Sequence, residues 1–404
     1  MNLTHLIKED EVIKLVQDLV KIPSDWSQRD QEKKVLDYIC AYLDKYNISY
    51  QTQKVDSYRY NIVVTYKGRG NGKKLLLNGH VDTVPPYEMD FLPYEAFIKD
   101  GYLHGRGSVD MKGAVSAMLM TLRICHQQQI PLKGDLIFSA VIGEESNSAG
   151  TEKLIIEGVN ADGAIVGEPS NFDYAIGHRG LEWLEIEIIG KIAHSGVPEN
   201  GINAIAKAAK LIIELESKLV PKLKDRYNEF TGPSILNYGT IVGGTQPSSV
   251  ADKCIIQLDR RYVPSETPDQ VIGEIQEIID DLKLQDPEFQ ATIRQMDENI
   301  MNHLYHVPML TNPGEEIVKT LVSTLRETLN KEPILSTRRG WTDGGLLSYY
   351  GKIPTVICGP GDISYSHSKN ERIPVQQLVD AVDVYLKVAC AFCGLENEEK
   401  FLWN

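Results

Sequence analysis

The chain of 404 residues has few cysteines, no excess of basic charge and no long apolar run, and each absence removes a class of protein. Its six cysteines, Cys40, Cys125, Cys254, Cys358, Cys390 and Cys393, are too scattered for a disulfide framework. Lys and Arg number 42 against 56 Asp and Glu, a formal net charge of −14. That balance argues against nucleic acid or an anionic membrane as partner. No apolar segment approaches the ~20 residues of a membrane-spanning helix. The opening MNLTHLIKEDEVIKLV carries acids where a secretory leader needs a basic and then an apolar stretch, so a cytoplasmic location is the expectation. Neither a GxxxxGK[ST] phosphate loop nor a GxSxG nucleophile elbow is present. Cys390 and Cys393 do form a CxxC, but it lies in an apolar helical pattern without a second pair, which favours core packing.

What is present is the composition of an ordinary globular protein, 42% apolar and 24% charged, in a chain long enough for two domains. Residues 9–22, 30–46 and 113–128 have helical periodicity. KLLLNG, DLIFSAVIG (135–143), GAIVG (163–167) and TVICGP (355–360) are short apolar runs beside glycine, which predicts strands buried on both faces. Such alternation implies an α/β fold, a mixed sheet covered by helices. From residue 180 the character changes. LEWLEIEIIG alternates as a half-exposed strand does, followed by a helix near 202–219, strands near 235–243 and 253–262, and a helix near 267–283. This predicts a smaller α+β sandwich domain inserted into the larger one, with bounds 1–179, 180–295 and 296–404.

Residues able to bind metal follow each buried run. His80 and Asp82 come after KLLLNG, just before Pro85 and Pro86 forbid the strand from continuing. Asp110 precedes the 113–128 helix, Glu144 and Glu145 follow DLIFSAVIG, Glu168 follows GAIVG, and His367 comes soon after TVICGP. Any one of these could be a helix cap or a solvated turn residue. Together they occupy the carboxyl ends of strands, where open α/β sheets bind ligands. Crowded carboxylates repel unless positive charge sits among them. Mixed imidazole and carboxylate donors suit Zn²⁺, with Co²⁺ or Mn²⁺ as alternatives. The donors are too many for one tetrahedral ion and fit two, the arrangement of a two-metal hydrolase. A dinucleotide loop fares worse: the GxG at Gly105 and Gly107 would need its third glycine where Asp110 stands, and a carboxylate there repels a pyrophosphate.

The segments GHVDTVPP, GRGSVDMKG, GEES, GEPS and SHS, in this order, resemble the M20 family of metallopeptidases and deacylases. That group holds acetylornithine deacetylase, succinyl-diaminopimelate desuccinylase, aminoacylase and carboxypeptidase G. The resemblance implies a zinc-peptidase-like catalytic domain, with one metal on His80 and Glu168, a second on Glu145 and His367, and Asp110 bridging them. It implies Asp82 as the acceptor that fixes the His80 tautomer, Glu144 as general base, and a cis peptide at Asp110–Met111. His194 of AHSG would reach across a dimer interface, formed by the inserted domain, to steady an oxyanion. Arg261 would grip a substrate carboxylate, and Arg260, on the other side of the strand, would be structural.

GWTDGG (340–345) resembles a desuccinylase loop, which makes Asp343 a candidate substrate contact. Arg338 and Arg339, where that enzyme type has small residues, either favour an acidic acyl group or are surface charge. The expectation is a dinuclear zinc amidohydrolase acting on a small N-acyl amino acid with a free carboxylate. A dipeptidase or carboxypeptidase is the alternative, and a binding protein without catalysis a third reading, disfavoured because Glu144 and every expected ligand are present.

Overall fold

The structure, a computed structural model, describes residues 3–396. Ten strands matter for the site. The first five are β1 (Gln51–Lys54), β2 (Tyr60–Tyr66), β3 (Leu75–His80), β4 (Leu136–Val141) and β5 (Gly163–Val166). The rest are β6 (Gly180–Ile189), β7 (Ile235–Gly243), β8 (Lys253–Tyr262), β9 (Gln290–Gln295) and β10 (Thr355–Ile357). The chain divides into two compact units: Met1–Ile176 with Leu310–Ser336 and Thr342–Asn404, and Gly177–Met309 with Thr337–Trp341.

The first unit is built on a sheet in the order β1-β2-β4-β3-β5-β10. β4, β3, β5 and β10 are mutually parallel, and β2 joins β4 antiparallel. All residues of β3, β4 and β5 are buried, as predominantly apolar runs require when helices cover both faces. The helix Gly113–Gln127 is buried along almost its whole length and packs against Glu9–Val20 and Val375–Cys393. Gly167, just past β5, permits that approach: a Cβ there would lie 2.5 Å from the Met118 Cε and 2.9 Å from the Ala114 Cβ. Cys390 and Cys393 are buried in the last helix. No helix among the described residues is long and apolar enough to cross a membrane.

The second unit is an antiparallel sheet in the order β7-β8-β6-β9. Leu184, Ile186 and Ile188 of β6 and Cys254, Ile256 and Leu258 of β8 point to one face. There they meet Ala208 and Leu211 of the helix Ala204–Glu214, Ile275 and Ile279 of the helix Pro268–Gln285, and Phe289. The outward residues of β6, Glu185 and Glu187 among them, are partly exposed, which is the alternation LEWLEIEII predicts.

Three expectations need correction. The helix near 202–219 begins at Ala204, capped by the Asn203 side chain, and continues through a π turn, Leu215–Leu219, into Val220–Asp225. Pro221, which has no N–H, sits at the start of that last piece. The sheet has a fourth strand, β9, whose polar QATIRQ turns only Ala291 and Ile293 inward, too faint an alternation to read. The second unit also extends past residue 295 and takes in Thr337–Trp341. Backbone bonds extend it, Met296 N–H to the Trp183 carbonyl and Leu181 N–H to that of His306, each at 2.9 Å, and the Trp341 indole donates to the Val307 carbonyl at 2.9 Å.

Phe289 is fully buried in the second unit's core. Phe289→Ala is expected to destabilise that unit by about 3–5 kcal/mol, read as a lower midpoint in urea denaturation.

Candidate metal centre

Because β3, β4, β5 and β10 are parallel, the segments that follow them leave one edge of the sheet. His80 ends β3, Glu144 and Glu145 follow β4, and Glu168 follows β5. His367 comes after β10, on a loop in the left-handed backbone region with φ of 59°. Asp110 stands before the Gly113–Gln127 helix, and the peptide that joins it to Met111 is cis.

Asp110 is the centre of the cluster. Its Oδ1 lies 3.2 Å from the His80 Nε2 and its Oδ2 3.3 Å from the His367 Nε2. Around the first imidazole, the Glu168 Oε1 is 3.5 Å and the Glu144 Oε2 3.9 Å from the His80 Nε2. At the second, the Glu145 Oε1 is 2.9 Å from the His367 Nε2. Ligand atoms of His80, Glu144 and Glu168, and of His80, Asp110 and Glu145, form two groups within 4.8 Å. The His80 Nδ1 faces the backbone carbonyl of Asp82 at 3.0 Å. A carbonyl only accepts, so Nδ1 carries the proton and Nε2 can present a lone pair. The Asp82 carboxylate, expected to be that acceptor, is farther away, its Oδ1 3.6 Å from Nδ1, because Oδ2 accepts from the Glu145 N–H at 2.9 Å. Asp82 thus links the segment after β3 to the segment after β4.

The electrostatics explain what this arrangement attracts. Burial alone would lower the pKa of His80, but contacts with Asp110, Asp82 and Glu168 outweigh it and push it well up. Asp110 and Glu145 raise His367 to about 11 against the opposing effect of burial. Burial favours the neutral acid of Asp110, yet His367 and His80 hold its carboxyl well below the usual range. Glu144 is pushed well up by burial and then by the charge of Glu168, and Glu145 is raised by burial and by Asp110. Protons on the imidazoles therefore answer the carboxylates, and the acids left unanswered keep their own protons. Divalent cations fit the same positions: both oxygens of Asp110 are engaged by different imidazoles, and the donors are nitrogen and carboxylate oxygen.

The remaining predicted residues fall elsewhere. Asp343 borders the cluster but is 1% exposed, and its Oδ2 accepts from the Thr151 hydroxyl at 2.8 Å. His194 and Arg261 belong to the second unit. His194 is exposed, its Nδ1 accepting from the Gly196 N–H at 3.0 Å. Arg261 makes a two-pronged pair with Asp259, at 2.8 and 3.0 Å, whereas Arg260 is buried and paired with Glu266.

One residue escaped sequence reading. Glu371 is fully buried, pairs with buried Arg106, and its Oε1 accepts from the N–H groups of Val109 and Asp110 at 3.1 and 3.2 Å. It fixes the backbone that carries the central carboxylate. The only local signal is an acid four positions after His367.

A mixed sheet with imidazoles and carboxylates gathered beyond the ends of its parallel strands is the arrangement of a metal-dependent hydrolase. The chain matches Peptidase family M20/M25/M40 over residues 76–391 and belongs to that family, whose members hydrolyse amide bonds. It is 30% identical over 417 residues to the N-formyl-4-amino-5-aminomethyl-2-methylpyrimidine deformylase of Bacillus subtilis (strain 168), covering 97% of this chain and 96% of that protein. It is 29% identical over 371 residues to the acetylornithine deacetylase of Myxococcus xanthus, covering 89% and 92%. The fold is that of an M20 family metallo-carboxypeptidase from Sulfolobus solfataricus, with a TM-score of 0.78 over 95% of this chain and 99% of that one at 18% identity.

Glu371→Ala leaves Arg106 buried without its counter-charge and releases two backbone donors. The variant is expected to lose about 3–5 kcal/mol of stability in chemical denaturation, and calorimetric titration with Zn²⁺ should show affinity about 10- to 100-fold weaker.

Proposed function

We propose that the protein hydrolyses the amide bond of a small N-acyl amino acid bearing a free carboxylate, using two divalent ions, zinc by preference. The observation that carries this reading is Asp110, with one oxygen toward His80 and the other toward His367. In this reading His80 and Glu168 would hold one ion and Glu145 and His367 the other, with Asp110 able to offer an oxygen to each. The similarity to a deformylase and a deacetylase, each named for releasing an acyl group, supports release of an acyl group over cleavage of a peptide, and the deacetylase is the one named for an amino-acid substrate.

When bound, the ions make a water nucleophilic near neutral pH and polarise the scissile carbonyl. The chain supplies the rest. Glu144, raised in pKa by burial and by Glu168, takes a proton from the attacking water and delivers it to the leaving amine. The Asp82 carbonyl holds the His80 ring in one tautomer, and the Asp82 carboxylate holds the Glu145 backbone in register. His194 steadies negative charge developing on the acyl oxygen, and Arg261 binds the substrate carboxylate.

A homodimer through the second unit belongs to the same proposal. β7 is the edge of its sheet and exposes Ile241 and Val242, and the neighbouring helix exposes Ile205 and Ile213. An apolar, unpaired edge strand is a template for a second copy. Val242→Lys is expected to convert a dimer to a monomer in analytical ultracentrifugation; a parent that is already a monomer refutes the interface.

The decisive test is Glu144→Gln. Activity on N-acyl amino acids should fall by about 10²- to 10⁴-fold, with metal content by mass spectrometry unchanged. A variant as active as the parent would refute the role of Glu144. Preference for dipeptides over every acyl amino acid would replace the substrate class with that of a dipeptidase.

A further inference from the structure

Asp110 and His80 stand 30 positions apart, and the 3.2 Å between them depends on how the turn Ser108–Lys112 is seated against the segment that follows β3. Glu371 grips the first half of that turn through the N–H groups of Val109 and Asp110. Its other end is Lys112, which is fully buried. The Lys112 Nζ donates to the carbonyls of Leu19 at 3.1 Å and Ile22 at 2.7 Å. Both lie at the end of the helix Glu9–Val20, where backbone acceptors outnumber helical donors. Lysine is rarely buried completely, because it loses hydration and the freedom of a long side chain. Gly107 makes room for this one: its φ is 81°, and a Cβ there would lie 2.6 Å from the Thr83 Cγ2 and 3.2 Å from the Lys112 Cδ.

The same short stretch of chain reaches the other member of the pair. Ser24 is fully buried, and its hydroxyl donates to the Val81 carbonyl at 2.7 Å. Val81 stands between His80 and Asp82. Asp25 then forms a parallel bridge with Thr83, while its carboxylate accepts from the Ser27 N–H at 3.0 Å and the Tyr94 hydroxyl at 2.8 Å. Between the two sets of contacts stands Pro23, which confines the backbone to a narrow range of φ. Residues 19–25 therefore hold the turn of Asp110 at one end and the segment of His80 at the other.

We propose that residues 19–25 form a strut that sets the spacing of His80 and Asp110, with Lys112 and Ser24 as its two positioning residues. The proposal rests on the reading of His80 and Asp110 as ligands of one ion. Metal–ligand distances tolerate only about 0.2 Å, so loosening the strut weakens metal binding although neither positioning residue touches the ion.

The test is calorimetric titration with Zn²⁺ of the full chain, of Lys112→Met, of Ser24→Ala and of the combined variant. Lys112→Met keeps the apolar stem and removes the donors, and should weaken binding about 10- to 100-fold. Ser24→Ala should weaken it about two- to tenfold. A strut is released by a break at either end, so the combined loss should be smaller than the product of the two. Phe289→Ala, destabilised in the second unit, should bind Zn²⁺ as the parent does, which separates positioning from stability. Nitrogen-15 spectra of the metal-free proteins read each variant at the far end: Lys112→Met should shift the His80 imidazole, Ser24→Ala the Asp110 amide, and neither the exposed His194. If Lys112→Met fails to fold, Ser24→Ala decides. Parent-like Zn²⁺ affinity, an unmoved signal at the far end, or a combined loss equal to the product would overturn the proposal. A parent that binds no Zn²⁺, with the far-end signals still displaced, would remove the proposed function and leave the strut standing.

Discussion

Four carboxylates and two imidazoles meet in one largely buried cluster, and they can stay together only if positive charge joins them. Asp110 carries most of that constraint, because its two oxygens face different histidines. Much of the surrounding structure serves to hold it. Glu371 receives its backbone N–H, Arg106 neutralises Glu371, and Asp82 ties the neighbouring Glu145 segment to the first histidine's strand. A cluster so loaded is unfavourable by itself and favourable with cations, which is how a folded chain can store metal affinity.

The two units place charge in different ways because their sheets do. In the first, helices bury both faces, so polar chemistry is confined to the ends of the strands, and parallel strands bring those ends to one edge. In the second, an antiparallel sheet buries one face against two helices and leaves the other available to charged side chains. Arg260 and Arg261 show the consequence: adjacent in β8, one is buried against Glu266 and the other lines a cleft with Arg179 and Arg339.

His80, Asp110, Glu144, Glu145, Glu168 and His367 are legible as a set because each stands next to a local signal, an apolar run ending or a helix beginning. β3, β4 and β5 are legible because a strand buried on both faces is mostly apolar, and the two polar side chains inside them, Asn78 and Ser139, hydrogen-bond to each other at 2.9 Å. β9 is not, since an edge strand with two inward residues reads as a loop. Thr337–Trp341 belongs to the second unit through contacts with residues far away in sequence, which no window of sequence reveals.

The sequence by itself determined which side chains end each strand, that their mixture is one that binds divalent metal, and that a second region of different periodicity interrupts the first. Periodicity and residue chemistry are local, so they survive without coordinates. Only the tertiary structure decided that Asp110 lies between the two imidazoles, that the Asp82 carbonyl rather than its carboxylate is nearest to His80, that Glu371 supports them from behind, and that Arg339 joins Arg179 and Arg261. Most of those facts join residues far apart in the chain, Glu371 with Val109 and His367 with Glu145 among them, and a side chain's partner is chosen by packing rather than by its neighbours in the chain.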